Sequence, residues 1–123
     1  MAYAAAYMII PEPVVVLFYF LNFDWRKKML VNLSIQVIPT VPEKDIYYVV
    51  DRVIERIEKS GLKYEVGPME TTIEGELSEL LEIVKEAQEI CVKYGAERVC
   101  TVVKIDYKPE GVTIDEKIGK YRK

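Results

Sequence analysis

A chain of 123 residues, half of them apolar, with a formal net charge of -3 and no histidine builds one modest core rather than two. Its interspersed charges offer no basic stripe for nucleic-acid phosphates or for an anionic membrane surface. Lack of histidine removes the usual general base near neutral pH, the serine-type triads and the commonest transition-metal ligand, so no metal site is expected and any chemistry falls to carboxylate, Lys, Tyr or Cys.

Residues 2–23 are almost wholly apolar but are split by Pro11-Glu12-Pro13, after which 14–21 is a long uninterrupted run. Such a run is too short to span a bilayer. Arg26, Lys27 and Lys28 follow the apolar stretch instead of preceding it, contrary to a secretory signal. Composition changes abruptly at Met29. Residues 1–28 are therefore expected to be an extension outside the fold, with Met29 as the natural start and a membrane anchor as the alternative, and 29–123 the domain with a short carboxy-terminal tail.

From Met29 the elements follow in order. Residues 30–38 alternate, with Val31, Leu33, Ile35 and Val37 on one face and Asn32, Ser34 and Gln36 on the other, which predicts a strand. Pro39 and Pro42 end it. Over 45–59, Ile46, Val49, Val50, Val53, Ile54 and Ile57 recur at helical spacing, and Ser60-Gly61 closes that helix. A second strand over 62–66 turns at Gly67-Pro68 into a third over 69–75. A second helix over 77–94 buries Leu77, Leu80, Leu81, Val84, Ala87 and Cys91, and Gly95 ends it. In the last strand, 98–107, Val99, Thr101, Val103 and Ile105 face one way. The polar tail over 113–123 carries Ile114, Ile118 and Tyr121 at helical spacing but is too short to be stable alone.

The order βαββαβ predicts an α+β ferredoxin-like sandwich: a four-stranded antiparallel sheet, first and third strands central, with two helices on one face. The opposite face then collects Asn32, Ser34, Gln36, Thr72, Glu74, Arg98, Lys104 and Asp106 and stays wet or meets a ligand or partner. Cys91 and Cys100 form no CxxC pair and are expected to be buried free thiols in a reducing compartment.

Four segments together carry a specific resemblance: Ser-Ile-Gln-Val-Ile-Pro at 34–39, Ser-Gly-Leu-Lys-Tyr-Glu-Val-Gly-Pro-Met at 60–69, Thr-Thr-Ile-Glu-Gly-Glu at 71–76 and Val-Val-Lys-Ile-Asp at 102–106. Over residues 30–121 the chain resembles the small thiamine-binding protein family. Glu70 stands where that family more often has a small residue, and Tyr107-Lys108 where an acidic-basic pair is usual. The resemblance implies a cytoplasmic, non-enzymatic protein without a cofactor, assembled as dimers or tetramers, that binds thiamine or its hydroxymethylpyrimidine moiety.

The residue chemistry agrees with a small polar ligand. Glu74 can pair with a protonated aminopyrimidine edge, while Ser34, Gln36, Thr71 and Thr72 offer further donors and acceptors. Strand alternation puts Thr71 on the opposite side from Thr72 and Glu74 and so favours the latter two. Tyr48, Tyr64, Tyr94, Tyr107 and Tyr121 are the rings that could face a thiazolium, with no choice among them. Two other classes compete: an oligomeric regulatory or interaction module, and an enzyme using Glu74 with Asp106 or Lys104 as acid and base.

Overall fold

The structure is a computed structural model that describes residues 29–122, together with Pro13. The expectations for residues 1–28 otherwise lie outside the described residues. Its elements are β1 (Val31–Pro39), α1 (Ile46–Lys59), β2 (Lys63–Val66), β3 (Thr71–Gly75), α2 (Leu77–Lys93), β4 (Val99–Asp106) and a short α3 (Ile114–Ile118), with 3-10 turns at Glu43–Asp45 and Gly119–Tyr121. The strands form one antiparallel sheet in the order β2-β3-β1-β4. This is the ferredoxin-like arrangement that the element order predicts, with β1 and β3 central.

Alternation in β1 sends Val31, Leu33 and Ile35 into a core shared with Val49, Val53 and Ile57 of α1, Ile73 of β3 and Leu80, Ile83, Ala87 and Cys91 of α2. The α2 stripe differs from the expected one by a rotation: Ile83 is buried and Leu81 is 44% exposed. Leu80, Ile83 and Ala87 step by three and four residues and keep to one side, whereas Leu81 lies about 100° round the helix from Leu80. Thr101, on the core-facing side of β4, donates its hydroxyl proton to Gln88 of α2. Arg56 of α1 pairs with Glu86 of α2, tying the helices at their rim.

Gly67 shapes the β2–β3 loop. Its N–H donates to the Glu70 carbonyl at 2.9 Å, and a Cβ there would stand 2.8 Å from that same oxygen. The loop therefore holds Glu70 at the end of β3.

The open face of the sheet is not left wet throughout. Gly111, at φ 90°, turns the chain back after β4, and residues 112–122 run across the face opposite α1 and α2 as a strap. Val112 and Ile114 are each only 4% exposed. This corrects the expectation that the open face stays wet or meets only a ligand or partner: the tail itself covers part of it, and α3, too short to stand alone, is stabilised by what it covers. A second correction concerns the thiols. Cys91 is buried, but Cys100 is exposed, because it lies on the open face of an edge strand beyond the strap.

Candidate functional site

Register sets two rows of side chains across the open face. Glu65, Thr72, Ser34 and Lys104 oppose one another from β2 to β4, and beside them run Lys63, Glu74, Asn32 and Asp106. Side chains at such positions stand roughly 5 Å apart across neighbouring strands.

The strap lies over the second row and grips both of its ends. Lys63 Nζ meets Asp115 at 2.5 Å, and Lys117 Nζ meets Asp106 at 2.6 Å. Arg122 pairs with Glu65 at 2.7 Å, at the edge of the first row. Between them, Ile114 N–H donates to Glu74 Oε1 at 2.6 Å. Asn32 Nδ2 donates to the Val112 carbonyl at 3.1 Å, and Val112 N–H to the Leu30 carbonyl at 3.0 Å. Locally the strap is started by a capping box: Glu116 N–H donates to Thr113 Oγ1 and Thr113 N–H to the Glu116 carboxylate.

Between sheet and strap lies a cavity of about 360 Å³, with Asn32, Ser34 and Thr72 of the two central strands and Ile114 and Ile118 of the strap among its walls. Around it stand three ion pairs: Lys104–Glu70, Lys117–Asp106 and Arg122–Glu65. The volume falls at the small end of the range for small-molecule pockets, about 300–1,000 Å³. Two polar atoms belonging to its lining residues are buried without a protein partner, Asn32 Oδ1 and Ser34 Oγ. Buried polar groups are nearly always paired, so an orphan acceptor and an orphan hydroxyl in one cavity point to a ligand.

The hydrogen bond from Lys104 holds the Glu70 carboxyl below the usual carboxylate range, with the charge of Lys104 and the nearby Ser34 hydroxyl adding to it. Ser34 stands close to that carboxylate without meeting hydrogen-bond geometry. On the strap, the hydrogen bond to Asp115 raises Lys63 above the ordinary lysine value. Among the described residues, no group of three or more His, Cys, Asp or Glu is placed to hold a metal ion.

The five expected ligand residues divide. Ser34 and Thr72 face each other across β1 and β3 and line the cavity. Glu74 stands in the adjoining row, where it receives the Ile114 N–H. Gln36 lies further along β1, opposite Val102. Thr71 opposes Ile35 on the core-facing side, buried at 6% exposure, and so is separated from Ser34 and Thr72 by the thickness of the sheet. None of the five tyrosines lines the cavity; Tyr48 of α1 and Tyr94, just past the end of α2, instead meet edge to face, 5.9 Å apart.

Sequence reasoning put Asn32, Lys104 and Asp106 on this face but missed Asn32 as a site residue, along with Glu70, Ile114, Lys117, Ile118 and Arg122. A signal for the strap was present in Thr113-Ile114-Asp115-Glu116, the T-x-x-E pattern of a capping box.

A family profile described as thiamine-binding protein matches residues 33–122. The chain belongs to that family. It is 62% identical over 91 residues to a UPF0045 protein of Clostridium perfringens, covering 74% of this chain and 96% of that one. Among solved structures, a Bacillus cereus domain of unknown function is 56% identical with a TM-score of 0.71, covering 76% of this chain and 91% of that one. A Thermotoga maritima protein described as a candidate for thiamine biosynthesis or salvage is 45% identical, also with a TM-score of 0.71, covering 76% and 99%. Family membership supports a small-molecule ligand. Among the described residues, no helix is long and apolar enough to cross a membrane.

Proposed function

We propose that this member of the thiamine-binding family binds thiamine or its hydroxymethylpyrimidine moiety in the cavity between the open sheet face and the strap, and does so without catalysis. One observation carries the reading: the cavity of about 360 Å³ is lined by Asn32 and Ser34, whose Oδ1 and Oγ are buried without a protein partner. A planar polar ring with donors and acceptors on one edge matches that demand. Isothermal titration with thiamine and with hydroxymethylpyrimidine tests the reading. Heat of binding with at least one is the expected result; no heat with either, into the millimolar range, rejects it.

A second reading, assembly of copies, has its own observation. Beyond the strap, the open face presents Ile38 at 47% and Val102 at 43% exposure, on neighbouring strands near Gln36. Edge strands with apolar neighbours invite association. Sedimentation velocity of the full chain is expected to show an oligomer that Val102→Glu dissociates. A wild-type monomer at high concentration rejects this reading.

A further inference from the structure

The cavity holds more information about its ligand than its size. Asn32 is 97% buried, at 3% exposure, and its amide orientation is set by its surroundings. Nδ2 donates to the Val112 carbonyl at 3.1 Å; turning the amide over would press Oδ1 against that carbonyl, oxygen against oxygen. Oδ1 is thereby fixed as the free atom, an acceptor with nothing to accept.

The protein around it supplies no remedy. Across the strands Asn32 sits between Glu74 and Asp106, whose carboxylates offer acceptors. Above it, Ile114 and Ile118 bring apolar side chains, and the Ile114 N–H is already given to Glu74. On the strap, Lys117 is held by Asp106 at 2.6 Å. Two residues along the same face of β1, the Ser34 hydroxyl stands near the Glu70 carboxylate but makes no hydrogen bond, and it can donate as well as accept.

We propose that Asn32 is the specificity-determining residue of this site: its Oδ1 takes an N–H from an exocyclic amine on a planar heteroaromatic ligand, while the Ser34 hydroxyl serves the neighbouring ring nitrogen. The inference rests on the cavity being the ligand site. An acceptor and a hydroxyl two residues apart on one strand face fit an amine and a ring nitrogen on one edge of a ring, and they reject a ring that lacks the amine because the buried acceptor then stays unpaired. Both atoms are shielded from solvent while the strap is down, so the ligand enters as the strap opens and is covered as it closes again. The strap's ion pairs lie at the surface and oppose that shift weakly.

The test compares hydroxymethylpyrimidine with its analogue carrying hydrogen in place of the exocyclic amine, by calorimetry on the wild-type full chain and on Asn32→Ala. The wild type is expected to bind the amine form about 10- to 100-fold more tightly, and Asn32→Ala to bring that ratio to about one. Equal wild-type affinity for the two compounds overturns the proposal, as does undiminished discrimination by Asn32→Ala. Should Asn32→Ala fail to fold, the Asn32 side-chain amide resonances of the wild type decide: they move with the amine form and not with its analogue, and a resonance unmoved by either refutes the assignment. A wild type that binds neither hydroxymethylpyrimidine nor thiamine takes down the functional reading and this inference together. Binding without discrimination takes down this inference alone.

Discussion

Replacing Glu74 separates two uses of one carboxylate. In the structure its Oε1 receives the Ile114 N–H at 2.6 Å in a half-buried setting, at the first residue of α3. Hydrogen bonds to charged groups contribute about 1.5–3 kcal/mol, and partial exposure favours the lower end, so Glu74→Ala should cost the strap about 1–2 kcal/mol. That is about a 5- to 30-fold rise in the opening equilibrium of residues 112–122. Amide hydrogen exchange at Ile114 reads it directly, with Leu33 in the core as an internal control that should not change. Glu74→Gln retains a side-chain oxygen that can accept and should recover part of the protection. If the carboxylate also pairs with a protonated ring, Glu74→Gln lowers ligand affinity while Ile114 stays largely protected. Unchanged Ile114 exchange in Glu74→Ala would refute the anchoring role and return Glu74 to the ligand alone.

Three further outcomes follow from the same geometry. Leu33 of β1 is fully buried in the core between sheet and helices, and Leu33→Ala should cost about 2–5 kcal/mol of stability, measured by urea unfolding; a loss below about 1 kcal/mol would mean that the core collapses around the gap. For the charged contacts the signs differ. The raised Lys63 contributes fully below its unfolded value of 10.5, and that contribution fades as pH rises through the still higher folded value. The lowered Glu70 contributes above 4.5 and fades as pH falls through its folded value. Strap protection, followed by hydrogen exchange corrected for intrinsic rates, should accordingly be insensitive to both between about pH 6 and 9; a steep change within that window would implicate other groups. Phosphorylated thiamine should bind more weakly than thiamine, since Lys104, Lys117 and Arg122 around the cavity are each engaged by a carboxylate. Tighter binding of the phosphate ester in calorimetry contradicts that.

Much of the fold is legible because its signals are local and periodic. Val31, Leu33 and Ile35 alternate at the strand period, and Val49, Val53 and Ile57 recur at the helical one. Each pattern states its buried side without reference to distant residues. The site is less legible because it depends on contacts across the chain. Asn32 alternates as an exposed residue should, and only residues 112–122, eighty positions downstream, bury it. Cys100 misleads in the opposite sense: a small apolar residue in a strand reads as buried, yet its strand is an edge and the strap ends short of it. Glu70 shows a third reason. Its place beside Lys104 comes from the four-residue loop closed by Gly67, whose geometry the Gly-Pro pair signals only as a turn.

The open face of a ferredoxin-like sheet is by itself a poor place for a ligand, being flat and wet. Here one short segment changes that. With Val112 and Ile114 buried, the strap takes Asn32 out of water and leaves Glu74 half-buried, and each buried side chain of this size stabilises the closed form by about 1.5–3 kcal/mol. That exceeds what surface ion pairs usually supply, so the apolar contacts hold the strap and the charges set its register. The cost falls on Asn32 Oδ1 and Ser34 Oγ, which lose water and gain no protein partner. A closed, empty site is thus under-satisfied, and a ligand that supplies the missing donor stabilises closure. Binding and strap protection should therefore rise together: saturating hydroxymethylpyrimidine should slow exchange at Val112 and Ile114 in the wild type, and binding that leaves those amides unchanged would place the ligand elsewhere on the chain.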